Sequence, residues 1–213
     1  MSYPAYSRAE RIADGVIHIL GVGLAITAVY LLFGDLADRM GWGTYTATII
    51  YAVGLLAMLG ASAAYHLAAY TRARPILRRL DHAAIYMKIA GTFTPLSVLL
   101  GTAFGYVVLV AVWVLALFGA AGKLMTERGK MTTGWVPYVA LGWVGIAIFI
   151  PLTGVLPTFS LWMMLTGGIL YTIGVLFYTW ESLRFANVIW HSFTLVASGC
   201  FFVAIAAALA QTT

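Results

Sequence analysis

Polar side chains recur at a spacing of four residues in this chain, and their types indicate metal chemistry. Asn187 and His191 have this spacing, and so do Ser62 and His66. On a helix, residues four apart share one face. Neutral imidazole is a common zinc ligand, and a catalytic zinc takes three protein ligands with water in the fourth position. A nearby carboxylate can orient that water or accept its proton, so His66, His191 and Asp81 have the required types.

The composition is that of an integral membrane protein. Of the 213 residues, 62% are hydrophobic and 9% are charged, whereas a soluble domain carries about 25% charged residues. The net charge of +5 is therefore no sign of nucleic-acid binding, because the location of basic residues matters more in a membrane protein. The single cysteine, Cys200, excludes an intrachain disulfide.

The apolar stretches predict an all-α membrane protein, a seven-transmembrane helix bundle formed by one domain over residues 1–213. A spanning helix needs about 20 mostly apolar residues. Seven stretches qualify, at approximately 13–34, 45–68, 82–100, 104–123, 134–151, 160–179 and 187–210. The break at 101–105, GTAFG, holds no charge, so the count of seven depends on its two glycines.

The basic residues predict the orientation of the bundle. If seven spans alternate, ten of the twelve fall on one side, leaving Arg39 on the other side and Lys88 within the third span. The ten are Arg8, Arg11, Arg72, Arg74, Arg78, Arg79, Lys123, Arg128, Lys130 and Arg184. Basic residues collect in cytoplasmic loops, so we expect a cytoplasmic N-terminus and a C-terminus outside.

This orientation places all four histidines at a similar depth in the inner leaflet: His18, His66, His82 and His191. Ionisable residues at membrane depth are costly, usually face the bundle interior and mark a function. Together with Asp81, the histidines therefore predict a shared polar cavity. His18, with Glu10 or Asp14, could support the metal ligands or be merely interfacial, and we favour the interfacial position.

Structural interpretations compete with the metal hypothesis at each residue. His66 and His191 could form hydrogen bonds between helices. Asn187 could cap the last span, and Asp81 could cap the third span or pair with a loop arginine. Ser62 could serve helix packing alone.

Four segments carry a family resemblance. The chain resembles the bacterial hemolysin III family, part of the progestin and adiponectin receptor superfamily. The matching segments are ERIADGVIHILG at 10–21, SAAYH at 62–66, RRLDHAAIYMKIAGTFTP at 78–95 and VIWHSFTLVASG at 188–199. They cover the polar ends of the first, second, third and seventh spans.

The resemblance implies a zinc site near the cytoplasmic side, with one histidine on the second span and two on the seventh. The matching ligands are His66 and His191. The family's aspartate, near the metal-bound water, falls on Asp81, and its serine falls on Ser62. The remaining ligand position falls on Asn187, where most relatives have histidine.

The asparagine leaves three hypotheses open. Asn187 could ligate weakly through oxygen or through water, because an amide is a weaker zinc ligand than imidazole. His18 or His82 could replace it, although His82 is disfavoured because adjacent helical residues point about 100° apart and Asp81 should face the site. Alternatively, the site has lost zinc.

The resemblance also implies an activity class. Related receptors and alkaline ceramidases are viewed as zinc-dependent lipid amide hydrolases, so we expect hydrolysis of a membrane lipid amide or ester. The alternatives are a receptor-like or regulatory protein with a structural metal site, and a pore-forming or lytic protein. We expect a membrane lipid or fatty-acyl ligand, no nucleic acid, and a location in the cell inner (plasma) membrane, and we leave a homo-oligomer open.

Overall fold

The computed structural model describes residues 6–126, 134–180 and 182–212. Within these ranges the regular structure is helical and contains no strand. A short 3₁₀ turn at Ala37–Arg39 follows the first helix. The eight α-helices are α1 (Arg8–Leu36), α2 (Trp42–Leu67), α3 (Arg74–Leu100), α4 (Ala103–Met125), α5 (Val136–Trp143), α6 (Gly145–Leu152), α7 (Thr158–Thr179) and α8 (Ala186–Thr212).

Six of these helices are long and apolar enough to cross a membrane, namely α1, α2, α3, α4, α7 and α8. The all-helical membrane prediction is confirmed to this extent. The predicted span at 134–151 is instead covered by two consecutive eight-residue helices, α5 and α6, separated by Val144. Two of the predicted cytoplasmic basic residues, Arg128 and Lys130, lie outside the described residues.

Most of the basic loop predicted at 71–81 is helical in the structure. Helix α3 begins at Arg74 rather than at 82, so Arg78 and Arg79 lie in a helix and not in a loop. Pro75 is compatible with this early start, because it occupies the first turn, where a backbone N–H has no helical partner. The arginines and leucines that follow are good helix formers.

The break at 101–105 is confirmed. Helix α3 ends at Leu100, and Gly101 follows in the left-handed conformation with φ of 64°, which glycine adopts without a steric penalty. Thr102 then caps α4, because its hydroxyl accepts a hydrogen bond of 3.1 Å from the Gly105 N–H. A glycine terminator followed directly by a threonine cap separates two apolar helices without any charge.

Helix α3 lies at the centre of the packing and contacts α2, α4, α5, α6 and α8. Its closest approach is to α2, where both helices carry glycine. A Cβ at Gly54 would lie 3.1 Å from the Met87 carbonyl oxygen, and one at Gly91 would lie 3.2 Å from that of Ile50. The two helices are antiparallel, and small residues let their backbones approach this closely.

Helix α8 enters the bundle from the same end as α1. The Phe185 N–H, just before α8, donates a 3.0 Å hydrogen bond to Glu10 in the first turn of α1. Further along, Gly21 of α1 packs against Leu195 of α8. The first and last helices therefore run side by side in the same direction.

Helices α5 and α6 pack one after the other along α3. The Tyr138 hydroxyl of α5 donates a 3.4 Å hydrogen bond to the His82 carbonyl in the first half of α3. Gly145 of α6 packs against Phe93, further along α3. The α5–α6 pair thus runs parallel to α3 over the length of the contact.

Candidate metal centre

Four side chains from three helices meet at the end of the bundle where α1 and α8 begin. Asp14 and His18 come from α1, His66 from the last turn of α2, and His191 from the beginning of α8. Each offers one potential ligand atom, and these atoms all lie within 4.8 Å of one another. We refer to these four residues as the histidine cluster.

The Asp14 carboxylate is the hydrogen-bonding centre of the histidine cluster. Its Oδ2 atom lies 2.9 Å from His66 Nδ1. Its Oδ1 atom accepts a 2.8 Å hydrogen bond from the Asn187 amide nitrogen and lies 3.5 Å from His191 Nδ1. One carboxylate therefore links α1 to both α2 and α8.

His18 is only 6% exposed, so the interpretation of this residue as interfacial is wrong. Its Nδ1 atom lies 2.7 Å from the Asp14 carbonyl oxygen, which can only accept a hydrogen bond, so Nδ1 carries the proton. In the neutral ring Nε2 then keeps its lone pair, 3.2 Å from the Ser62 hydroxyl. The backbone of α1 thus fixes the tautomer that offers Nε2 as a ligand.

The predicted pair His66 and His191 is brought together by the fold, with ring centroids 4.5 Å apart. Asn187 lies beside them, and its amide nitrogen is 3.4 Å from His66 Nδ1. Helix α8 begins at Ala186, so Asn187 lies inside the helix and the N-cap interpretation is wrong. Its side chain serves a contact between helices instead.

Asp81 and His82 lie outside the histidine cluster but line the same cavity. Asp81 is 8% exposed and lies well inside α3, which excludes the N-cap interpretation. Among the described residues its ion-pair partner is His82, with Nδ1 3.5 Å from Asp81 Oδ2, rather than an arginine. His82 Nδ1 also donates to the Arg78 carbonyl at 2.9 Å, so α3 holds both side chains in place.

The histidine cluster opens into a cavity of about 930 Å³ inside the bundle. Ser62 and Asp81 line this cavity together with the cluster, and so does Asn187. Beyond them its walls are mainly apolar and aromatic, with residues such as Phe149 and Met164. A volume of this size is at the upper end of the range for pockets that hold small organic ligands.

The histidine cluster fits a zinc ion by chemistry and by spacing. Imidazole nitrogens and a carboxylate oxygen form a common zinc ligand set, with bonds of about 2.0–2.2 Å. Two ligands of one ion are then at most about 4.4 Å apart, so the 4.8 Å spread requires only small side-chain rotations. The buried Nδ1 atom of His191 has no hydrogen-bond partner within the described ranges, which leaves it available for such a bond.

The helical fold and its apolar helices fit a multi-pass membrane protein. The family model described as haemolysin-III related matches residues 7–202. The chain is also 36% identical over 196 residues to a Bacillus subtilis protein named hemolysin-3 homolog, covering 91% of each chain. It is 32% identical over 194 residues to the Bacillus cereus protein named hemolysin-3, covering 91% of this chain and 89% of the relative. The chain therefore belongs to the haemolysin-III-related family.

Sequence reasoning missed Asp14 as a member of the cluster, although a signal was present. Asp14 and His18 are four residues apart in ERIADGVIHILG, the same spacing as Ser62 with His66 and Asn187 with His191. Three helices thus each present a pair of polar residues on one face near the same membrane depth. Three such pairs at one depth would have predicted that all of them meet.

Proposed function

We propose that this protein is a zinc-dependent hydrolase that cleaves an amide or ester bond of a membrane lipid. The observation that carries the proposal is the convergence of Asp14, His18, His66 and His191 at one end of a large apolar cavity. Metal ligands beside an apolar chamber suit a substrate with a polar scissile bond and a long acyl chain. The same arrangement makes a membrane lipid or fatty-acyl ligand the expected partner.

The zinc ligands would be His66 and His191, as the resemblance implies, together with His18, which leaves the fourth position for water. Asp14 would orient His66 and His191, whose Nδ1 atoms lie 2.9 and 3.5 Å from its carboxylate oxygens. In this assignment His18 Nε2 replaces the imidazole that is missing at Asn187, and Asn187 orients Asp14 through their 2.8 Å hydrogen bond. A bound zinc ion supplies a Lewis acid for the substrate carbonyl and lowers the pKa of water for attack near neutral pH.

The chain's own residues then handle orientation and proton transfer. Asp81 faces the cavity and is held by His82, so we assign it as the base that accepts a proton from the attacking water. The same proton can pass to the leaving nitrogen or oxygen as the bond to the acyl carbon breaks. Ser62 is a positioning residue in the metal-free protein, because its hydroxyl is 3.2 Å from His18 Nε2 and holds that ring until the nitrogen binds zinc.

A second candidate function is a receptor-like or regulatory protein whose polar cluster is structural. The observation that favours it is the Asn187 amide, which already hydrogen bonds to Asp14 and approaches His66. This network satisfies much of the cluster with protein groups alone. A pore-forming or lytic function, which the names of the relatives suggest, ranks third, and dye leakage from protein-containing liposomes would test it.

We also propose seven membrane crossings, with α5 and α6 together forming the fifth. Helices α1 and α8 run in the same direction, which requires an odd number of crossings between the two ends of the chain. The α5–α6 pair runs parallel to α3 and so supplies the crossing between α4 and α7. Its 17 residues are at the lower limit for a span. The N-terminus is assigned to the cytoplasmic side of the inner membrane, because basic residues concentrate at the end of the bundle where α1 begins.

The first test is the zinc content of protein purified in detergent without a chelator or a histidine tag. We expect about one zinc per chain by mass spectrometry, with loss in His66→Ala and retention in the matched variant His82→Ala. Purified wild-type protein in liposomes should then hydrolyse long-chain amides or esters, and His66→Ala should not. Wild-type protein without zinc, or wild-type turnover in His66→Ala, would contradict the hydrolase proposal, whereas zinc without any turnover would favour the regulatory function.

A further inference from the structure

A second polar group lines the cavity at a deeper level than the histidine cluster. Lys88 of α3 donates a 2.7 Å hydrogen bond from Nζ to the Tyr171 hydroxyl of α7. The Tyr171 hydroxyl in turn lies 2.6 Å from the Ser198 hydroxyl of α8. We refer to these three residues as the lysine cluster, which joins three helices in the middle of the bundle.

The positive charge of Lys88 has no counter-charge in the part of the chain that the structure describes. The side chain is 4% exposed, and no carboxylate there lies within ion-pair distance of it. An ammonium group has three N–H donors, and only the one to Tyr171 has an acceptor among the described residues. The rings of Tyr171 and Phe201, with centroids 4.5 and 5.2 Å from Nζ, offset part of the burial cost through cation–π contacts. A buried charge in a membrane otherwise calls for a partner.

The cavity gives a ligand access to this charge. Lys88, Tyr171 and Phe201 all line it. Lys88 is seven residues after Asp81 on α3, so the two residues share a face of the helix and are separated by roughly 10 Å along its axis. Since most of the remaining wall is apolar, a ligand with one anionic head group and a long alkyl chain matches the chamber.

We infer that the lysine cluster binds the carboxylate of a long-chain fatty acid, with the alkyl chain in the apolar part of the cavity. The cluster contains one cation, so a head group with a single negative charge balances it. The two free N–H donors of Lys88 match the two oxygens of a carboxylate. This site is separate from the histidine cluster and needs no metal, so it does not depend on the proposed hydrolysis.

The test compares three probes with the same alkyl chain, namely hexadecanoate, hexadecanol and hexadecyl phosphate. Binding of tritiated hexadecanoate is measured by scintillation proximity on the full-length protein in an uncharged detergent, with the other two probes as competitors. The measurement is repeated in His66→Ala protein, because a carboxylate held by a metal would be lost there. The variants are Lys88→Met, Lys88→Arg and Tyr171→Phe, and Lys123→Met is the matched control because Lys123 does not line the cavity.

We expect hexadecanoate to bind at least about tenfold more tightly than hexadecanol, as a charge-assisted hydrogen bond predicts. Lys88→Met should remove this preference, Tyr171→Phe should reduce it, and Lys88→Arg and Lys123→Met should keep it. His66→Ala protein should bind hexadecanoate as the wild type does. Equal binding of hexadecanoate and hexadecanol, a preference for hexadecyl phosphate, or an unchanged preference in Lys88→Met would each overturn the inference. If Lys88→Met does not fold, a reduced preference in Tyr171→Phe becomes the deciding result, and an unchanged preference there overturns the inference.

Discussion

The histidine cluster and the lysine cluster lie in one cavity but offer opposite chemistry. The histidine cluster presents imidazole lone pairs and a carboxylate, which are ligands for a cation. The lysine cluster presents an ammonium group and hydroxyl groups, which are donors to an anion. Burial in an apolar bundle makes either group costly if it has no partner. If both proposals hold, the cavity receives partners of opposite charge at two depths.

Two helices set the distance between these clusters. Helix α3 carries Asp81 and Lys88 seven residues apart, and α8 carries His191 and Ser198 seven residues apart. Seven residues are about two helical turns, or roughly 10 Å. Both helices thus present one polar residue at each level on the same face. Two rigid helices with this spacing would keep a metal site and an anion site at a fixed distance from each other.

The largest expected difference between the clusters is in stability. Asp14→Ala removes the acceptor shared by His66 and Asn187, and breaking a buried network of this type costs about 3–5 kcal/mol. Lys88→Met replaces a charge that has no counter-charge among the described residues by an apolar side chain, which is neutral or stabilising by about 1 kcal/mol. In thermal unfolding in detergent we expect Tm to fall by about 10 °C for Asp14→Ala and to stay level or rise for Lys88→Met.

The variants Asp14→Ala and Lys88→Met should also differ in their zinc content. Asp14→Ala should lose zinc, and Lys88→Met should retain about one zinc per chain. Asp14→Asn, which keeps the shape of the side chain, controls for packing and should also lose zinc. A large fall in Tm for Lys88→Met would mean that the lysine cluster is a structural link between α3, α7 and α8 rather than an anion-binding site.

A histidine at position 187 should strengthen zinc binding at the histidine cluster without affecting the lysine cluster. The Asn187→His variant adds an imidazole next to His66 and His191, and imidazole is a stronger zinc ligand than an amide. We expect zinc affinity to rise by about tenfold or more, measured by competition with a chromophoric chelator. Hexadecanoate binding at the lysine cluster should not change. Unchanged or weaker zinc affinity would show that Asn187 lies away from the ligand sphere.

Much of the fold follows from composition because lipid imposes long apolar helices. The ends of α1, α2, α4, α7 and α8 lie close to the predicted stretches, and the glycine break after α3 is correct. The start of α3 was not predicted because charge was taken as a loop signal, whereas arginine is a good helix former. The interruption at Val144 was not predicted either, because the surrounding residues carry no charge and the flanking glycines, Gly142 and Gly145, were not read as a stop signal.

The kind of site could be predicted from the sequence, but the set of residues that form it could not. Predicted depth brought His66, His191 and Asp81 to one level, and the structure places all three on one cavity. The membrane depth of a residue does not determine which side of its helix the side chain is on. His18 was therefore assigned to the membrane interface although it is buried in the bundle. The contacts of Asp14 with α2 and α8 join residues that are distant in sequence. The spacing of Asp14 and His18 indicates a shared helix face, but it does not say which atoms of α2 and α8 that face contacts.

His18 and His82 provide a closer test of which histidine replaces the missing ligand. Both donate through Nδ1 to a carbonyl one turn earlier, so they share a tautomer but differ in position. His18→Ala should lower zinc affinity by about tenfold, whereas His82→Ala should change it by less than about threefold. In the Asn187→His background the effect of His18→Ala should shrink, because another imidazole is present. Equal effects of the two alanine variants would remove His18 from the ligand set.

The smallest expected effect belongs to Ser62, which contacts the histidine cluster only through His18. Ser62→Ala removes one hydrogen bond to Nε2, which corresponds to about 1 kcal/mol of stability in the metal-free protein. If zinc is bound through His18 Nε2, that lone pair is already used, and the loss should be smaller in metal-loaded than in metal-free protein. We therefore expect Ser62→Ala to lower Tm in the presence of chelator and to change it little with zinc. Ser97→Ala on α3, whose buried hydroxyl has no hydrogen-bond partner among the described residues, is the matched control and should show no zinc dependence. A larger Tm loss with zinc than without it would place Ser62 in the metal site itself, which would extend the histidine cluster one turn deeper toward the lysine cluster.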